Sequence, residues 1–268
     1  MCDRDMTTTG PAAACARGLL VVLAAAAVGL RAACPAGARA VAAAGEPSAH
    51  VSAAFEPERL GQATTISFAV TIDAAGAQLP GPLSAVEVSY PADLGLATSG
   101  LGLEACDPAA LEAQGASACP ADSKMGQGSA LVEIAYGPDV VRETVSLGIY
   151  AIPSNDGYIH LAVLAEGKEP VLAQLVLQGV LLPGRLRLSV PPLPSLPGAP
   201  GATVTAISAT LGGALTYYES ARGRTIAYRP RGIGLPSSCP RGGFKLGARL
   251  TFEDGQRSRA RTVIPCPR

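Results

Sequence analysis

The side chains in this sequence best able to do chemistry are four cysteines, two histidines and a run of spaced arginines. "LEACDPAALEAQGASACPADSKMGQG", residues 103–128, carries Cys106 and Cys119. "SSCPRGGFKLGARLTFEDGQRSRARTVIPCPR", residues 237–268, carries Cys239 and Cys266. A structural zinc site needs paired close spacings such as C-x₂-C, and neither pair has them. Thiol redox chemistry usually needs C-x-x-C, which is also absent. An even set of cysteines in an exported chain reads as disulfides instead. Four cysteines allow three connectivities, and sequence neighbours are favoured, so the expected bridges are Cys106–Cys119 and Cys239–Cys266. Each closure stabilises by roughly 3 kcal/mol in the chain-entropy model.

The histidines offer less. His50 falls in a stretch expected to be a loose start, and His160 lies in "GYIHLAV", where period 2 sets it beside Tyr158 and Ala162. A strand histidine acts as a base only with a positioned partner, and Asp156, though near in sequence, belongs to a turn. No G-x-S-x-G elbow, P-loop, G-x-G-x-x-G or H-E-x-x-H occurs, and no Asp-rich loop has calcium spacing. Carboxylates are scattered, so no pair is selected for glycoside hydrolysis. The expectation is a non-enzyme with no catalytic residue, metal ligand or cofactor.

Arg257, Arg259 and Arg261 alternate, which puts all three on one face of a strand. They belong to a basic tail. Residues 45–215 carry six Lys/Arg against sixteen Asp/Glu, whereas residues 216–268 carry eleven against three, within a chain of net charge zero. The plainer reading is a solvated face, or a tail packed onto the acidic part. The sharper one is a patch for an anionic polymer such as an envelope glycan. Nucleic acid is not expected, because the tail lacks clustered aromatics for base stacking.

These residues need elements to hold them, and the composition points to strands and turns. Of 268 residues, 31 are Gly and 23 Pro, aromatics are 4%, and Trp is absent. Strands are expected at 64–72, 84–90, 130–136, 140–152, 158–165, 171–182, 185–190 and 203–211, separated by turn signals such as "SNDG" and "EGKE". Further strands are expected at 215–218, 225–229, 244–252 and 259–264, with "EDGQ" as a hairpin turn. Between the first two cysteines, "DPAALEAQG" reads as one short helix, with Asp107 as N-cap, Pro108 in the first turn and Gly115 as the stop. "PPLPSLPGAP", Pro191 to Pro200, reads as a stiff polyproline connector. The expected fold is all-β: an antiparallel, Ig-like or jelly-roll-type sandwich with that helix near Cys106 and a small disulfide-closed C-terminal β module. Residues 45–215 would form the sandwich. Residues 216–268 would form the module, and the pattern leaves open whether it folds separately or completes the sandwich.

Residues 1–44 read as a signal peptide. "GLLVVLAAAAVGL", Gly18 to Leu30, is an uncharged apolar run between Arg17 and Arg31, with small-residue cleavage patterns after it. It is too short to span a bilayer, which takes roughly 20 apolar residues. Cys2, Cys15 and Cys34 fall in this segment. Lipidation at Cys34 is not expected, because Arg31 stands where a lipobox wants an apolar residue. The mature chain is expected to be secreted, extracellular or envelope-associated, without a transmembrane span.

Two segments carry a resemblance. "CPADSKMGQGSA" and "LPSSCPRGGFKLGARLTFEDG…VIPCP" are similar to the CP-x-x-S-x-x-G and F-x-D-G…P-C-P patterns of uncharacterised secreted proteins of high-GC actinobacteria. The resemblance implies export, a β-sandwich and structural cysteines, and it implies no activity. The expectation is therefore an exported, disulfide-stapled binding or structural protein. Its rivals are an adhesion module holding an anionic polymer, a carboxylate-based hydrolase, and a carrier of an apolar ligand between two sheets. A large internal apolar cavity would be the sign of the last.

Overall fold

A computed structural model describes residues 46–74, 78–96, 104–212, 217–221, 223–228 and 231–267. The expected signal peptide and its three cysteines lie outside the described residues. Strands β1 (Ser48–Glu56), β2 (Ala63–Asp73), β3 (Leu83–Ser89) and the short β4 (Gly95–Leu96) precede helix α1 (Pro108–Gln114). Then come β5 (Lys124–Tyr136), β6 (Asp139–Ile152), β7 (Ile159–Gly167), β8 (Ala173–Leu182), β9 (Arg185–Ser189) and β10 (Thr203–Leu211). The C-terminal part adds β11 (Tyr217–Ala221), β12 (Arg224–Tyr228), the short β13 (Ile233–Gly234), β14 (Phe244–Phe252) and β15 (Arg257–Ile264).

Thirteen of these strands form one sheet in the order β15-β14-β3-β9-β8-β7-β6-β5-β10-β2-β13-β4, with β1 also paired to β2 and every ladder antiparallel. Strands β11 and β12 make a separate hairpin. Strand β1 also lies against β15, which brings the two edges together and leaves the sheet nearly closed and sandwich-like. Leaving aside the two-residue β13 and β4, eleven strands run from β1 round to β15. An odd run of antiparallel neighbours makes its two ends point the same way, so the seam is parallel.

The all-β antiparallel expectation is borne out, as is the one short helix near Cys106. Asp107 caps that helix, its Oδ1 accepting from the Ala109 N–H at 3.1 Å, and Gly115 ends it with φ of 72°. Both bridges form with the expected partners, Cys106–Cys119 and Cys239–Cys266. The first anchors α1 over the outer faces of β6 and β7, where Leu111, Tyr150, Ile152, Ala162 and Leu164 pack together. Strand β14 of the tail hydrogen-bonds to β3 of the preceding region.

Two differences from the sequence reading have physical causes. His50 is not in a loose start but in β1, where Ala49, Val51, Ala53 and Phe55 alternate inward. That strand is Ala- and Ser-rich, so β-propensity under-weights it and only pairing with β2 sustains it. Strand β5 begins at Lys124, six residues before the expected start, because Gly126 and Gly128 let β5 pass close under β10. A Cβ at Gly128 would collide with the Ser208 carbonyl oxygen and Ala209 Cα.

Candidate functional site: an apolar interior and an arginine face

Alternation along each strand sends one set of side chains into the enclosed space and the other outward. On β2, Ile66, Phe68 and Val70 point inward; on β3, Val86 and Val88 do so, with Tyr90 just beyond the strand on the same side. The enclosed space is not filled. Two adjoining cavities lie within it, of about 150 Å³ and about 110 Å³. They share the walls made by Val86, Leu147, Val163, Leu188 and Ile207. Most protein interiors hold few voids larger than a water molecule. A dry cavity of roughly 150 Å³ lined by aliphatic side chains admits a molecule the size of benzene.

The larger cavity reaches the end closed by Leu94, Met125 and Ile233, and Tyr90 stands at its edge. Burial raises the Tyr90 hydroxyl above its ordinary pKa, partly offset by a hydrogen bond with the Arg185 main chain. That hydroxyl donates to the Leu182 carbonyl at 2.6 Å. The smaller cavity lies toward the opposite end, under the Pro191–Pro200 connector. Strands β9 and β10 are separated in the sheet by β8, β7, β6 and β5, so their link must cross the end of the enclosure. It does so with Leu193 and Pro194 lining the cavity. A stiff polyproline segment suits that span.

Among the described residues, one carboxylate lines this interior. Glu143 has the same parity on β6 as Val145, Leu147 and Ile149, is 6% exposed, and lines the smaller cavity. Its neighbour across the ladder, Val132, also points inward. Glu133, the other buried carboxylate among the described residues, faces outward, where Arg142 Nε donates to its Oε1 at 2.6 Å. The two carboxylates therefore lie on opposite faces of the sheet rather than across one cleft.

The arginines occupy a different surface. Arg257, Arg259 and Arg261 are all exposed on the outer face of β15, as their alternation requires. The ladder then extends the row across three more strands: Arg259 stands opposite Arg249, Arg249 opposite Glu87, and Glu87 opposite Arg187. Glu87 pairs with Arg249 at 3.2 Å, Arg187 at 3.2 Å and Arg185 at 3.7 Å. Part of the plainer reading of the tail thus holds, since Arg249 does pack onto an acidic residue of the preceding region. Among the described residues, Arg257, Arg259 and Arg261 make no ion pair. Sequence reasoning missed Arg185, Arg187, Arg249 and Glu87, because their juxtaposition depends on β3 pairing with β9 on one side and with the tail strand β14 on the other, partners far apart in sequence.

His160 is held at the opposite edge of the β6–β7 hairpin. Its Nε2 lies 2.9 Å from Asp156 Oδ2, and the Tyr158 N–H donates to Asp156 Oδ1 at 3.0 Å. The hydrogen bond with His160, followed by that from Tyr158, holds the Asp156 carboxyl below its ordinary value. The turn residue is therefore the partner of this histidine, and the pair ties the turn to β7. His50 Nε2 stands 3.8 Å from Asp73 Oδ2 on the exposed side of β1 and β2. Among the described residues, no group of three His, Cys, Asp or Glu could hold a metal ion, and no helix is long and apolar enough to cross a membrane.

No protein-family model, curated protein or solved structure matches the chain.

Proposed function

We propose that this protein is an exported carrier that holds an apolar molecule inside its nearly closed sheet. The observation that carries the reading is the pair of adjoining, aliphatic-lined cavities in the enclosed space. At about 24 cal/mol per Å³, leaving either one empty costs on the order of 3 kcal/mol, a sizeable part of ordinary domain stability. An apolar occupant recovers that energy by removing its own surface from water. The two disulfides support export, since such bonds persist in oxidising compartments.

The test is saturable binding of a small neutral apolar probe such as benzene, read by calorimetry, by wild type and by Val163→Phe. Val163 lines both cavities, so the larger ring fills the shared space. Wild type should bind the probe saturably, and the variant should lose binding while its unfolding midpoint stays level or rises. Wild type without saturable binding would sink the carrier reading.

A second reading rests on the arginine face: adhesion to an anionic polymer. Guanidinium groups match sulfate, phosphate and carboxylate geometry in two-point contacts. Like charges set directly opposite, as Arg249 and Arg259 are, destabilise a sheet unless something compensates them. Glu87 compensates one side and leaves the β15 arginines free for an outside anion. Retention on dextran sulfate but not on neutral dextran, falling with salt and lost in Arg257/Arg259/Arg261→Ala, supports it. Retention that ignores salt, or none, removes it.

A further inference from the structure

Resting on the carrier reading, the geometry points to a ligand class: an amphiphile with an apolar body and a hydrogen-bond-donating head, a hydroxyl or an amine, received by Glu143. Among the described residues, Glu143 Oε1 is the one buried side-chain polar atom without a hydrogen-bond partner. Its other oxygen accepts only a long contact from the Val171 N–H, at 3.4 Å. Leaving a buried acceptor unpaired normally costs about as much as a lost hydrogen bond, and more when the group is charged. Glu143 stands on the inward face of β6, so the strand's own geometry aims it at the cavity and not at solvent.

The surroundings make room for this oxygen and supply no donor to it. A Cβ at Gly167 would sit 2.5 Å from Oε1, so the glycine there leaves space that any larger residue would take. Val132, Ile134, Val145 and Val171 complete the wall with hydrocarbon. Arg142, the adjacent cation on β6, points to the other face and is engaged by Glu133. A ligand's N–H or O–H would therefore satisfy Glu143, while its chain would run past Val163 toward Met125 and Ile149. A fatty acid is disfavoured, because its own carboxylate would meet a second negative charge in an apolar enclosure.

Calorimetric titration of the mature, oxidised protein decides this with four probes of one length: octanol, octylamine, octanoate and methyl heptyl ether. The ether matches octanol in size and has no donor. Octanol and octylamine should bind roughly tenfold more tightly than the ether or octanoate, the value of a hydrogen bond to a charged acceptor. In Glu143→Leu the octanol-to-ether ratio should fall to about one while ether binding persists. If Glu143→Leu does not fold, Glu143→Gln decides, because it should lose discrimination against octanoate; retained discrimination overturns the inference. Equal affinity of wild type for octanol and ether overturns it and leaves the carrier reading standing. Failure of all four probes overturns both.

Discussion

The wall made by β6, β7 and β8 and the wall made by β14, β3 and β9 belong to one sheet, yet they treat their outer faces in opposite ways. On the first, Ala162, Leu164, Tyr150 and Ile152 are covered by α1 and the Cys106–Cys119 bridge, so in that patch both faces are buried. On the second, Leu250, Val86 and Leu188 face the interior while Arg249, Glu87 and Arg187 face outward. One wall gains its stability from two apolar layers, the other from one. The charged layer of the second wall is therefore open to a different use.

The contrast can be broken at graded points. Leu111→Ala, at a position with no exposure, should destabilise by about 2–5 kcal/mol through the cavity left under α1. Arg249→Ala, at the matching layer of the other wall, should change stability by less than about 1 kcal/mol. Denaturant midpoints for the two variants should differ accordingly, and equal losses would show that the arginine face is structural. Removing the bridges with Cys106/Cys119→Ser or Cys239/Cys266→Ser should each lower stability by about 3 kcal/mol, with the longer C-terminal loop losing slightly more. A larger loss at the first bridge would mean that α1 detaches with it.

Glu87→Gln sharpens the comparison from the charged side. It leaves Arg185, Arg187 and Arg249 without their shared counter-ion and should lower stability by about 1 kcal/mol at low ionic strength. Added salt should restore the loss, because screening now relieves repulsion instead of weakening attraction. The smallest effect belongs to Asp156. Its folded pKa is lowered by His160 and Tyr158, so its contribution is present above the unfolded carboxylate value and is lost as pH falls through the folded one. Asp156→Asn should remove that acid-side decline from a series of unfolding midpoints and leave the neutral values close to wild type.

Strand alternation, the Asp107-to-Gly115 capping signals and the cysteine spacing were legible because each is set by near neighbours in sequence, the bridges spanning 13 and 27 residues. Most strand positions, both bridges, α1 and the shared face of Arg257, Arg259 and Arg261 follow from that local chemistry. The inward parity of Glu143 was equally present in "VVRETVSLGI", but nothing in a line of residues says which face of β6 will be enclosed. Strand β1 was hidden because its small residues become a strand only when β2 and β15 flank them. The order of the sheet, the meeting of β1 with β15, the cavities and the row from Arg259 to Arg187 join residues far apart in sequence. Composition and period set what each strand would bury. Only the three-dimensional pairing decided what that burial would enclose, because enclosure belongs to the whole sheet and to no single strand.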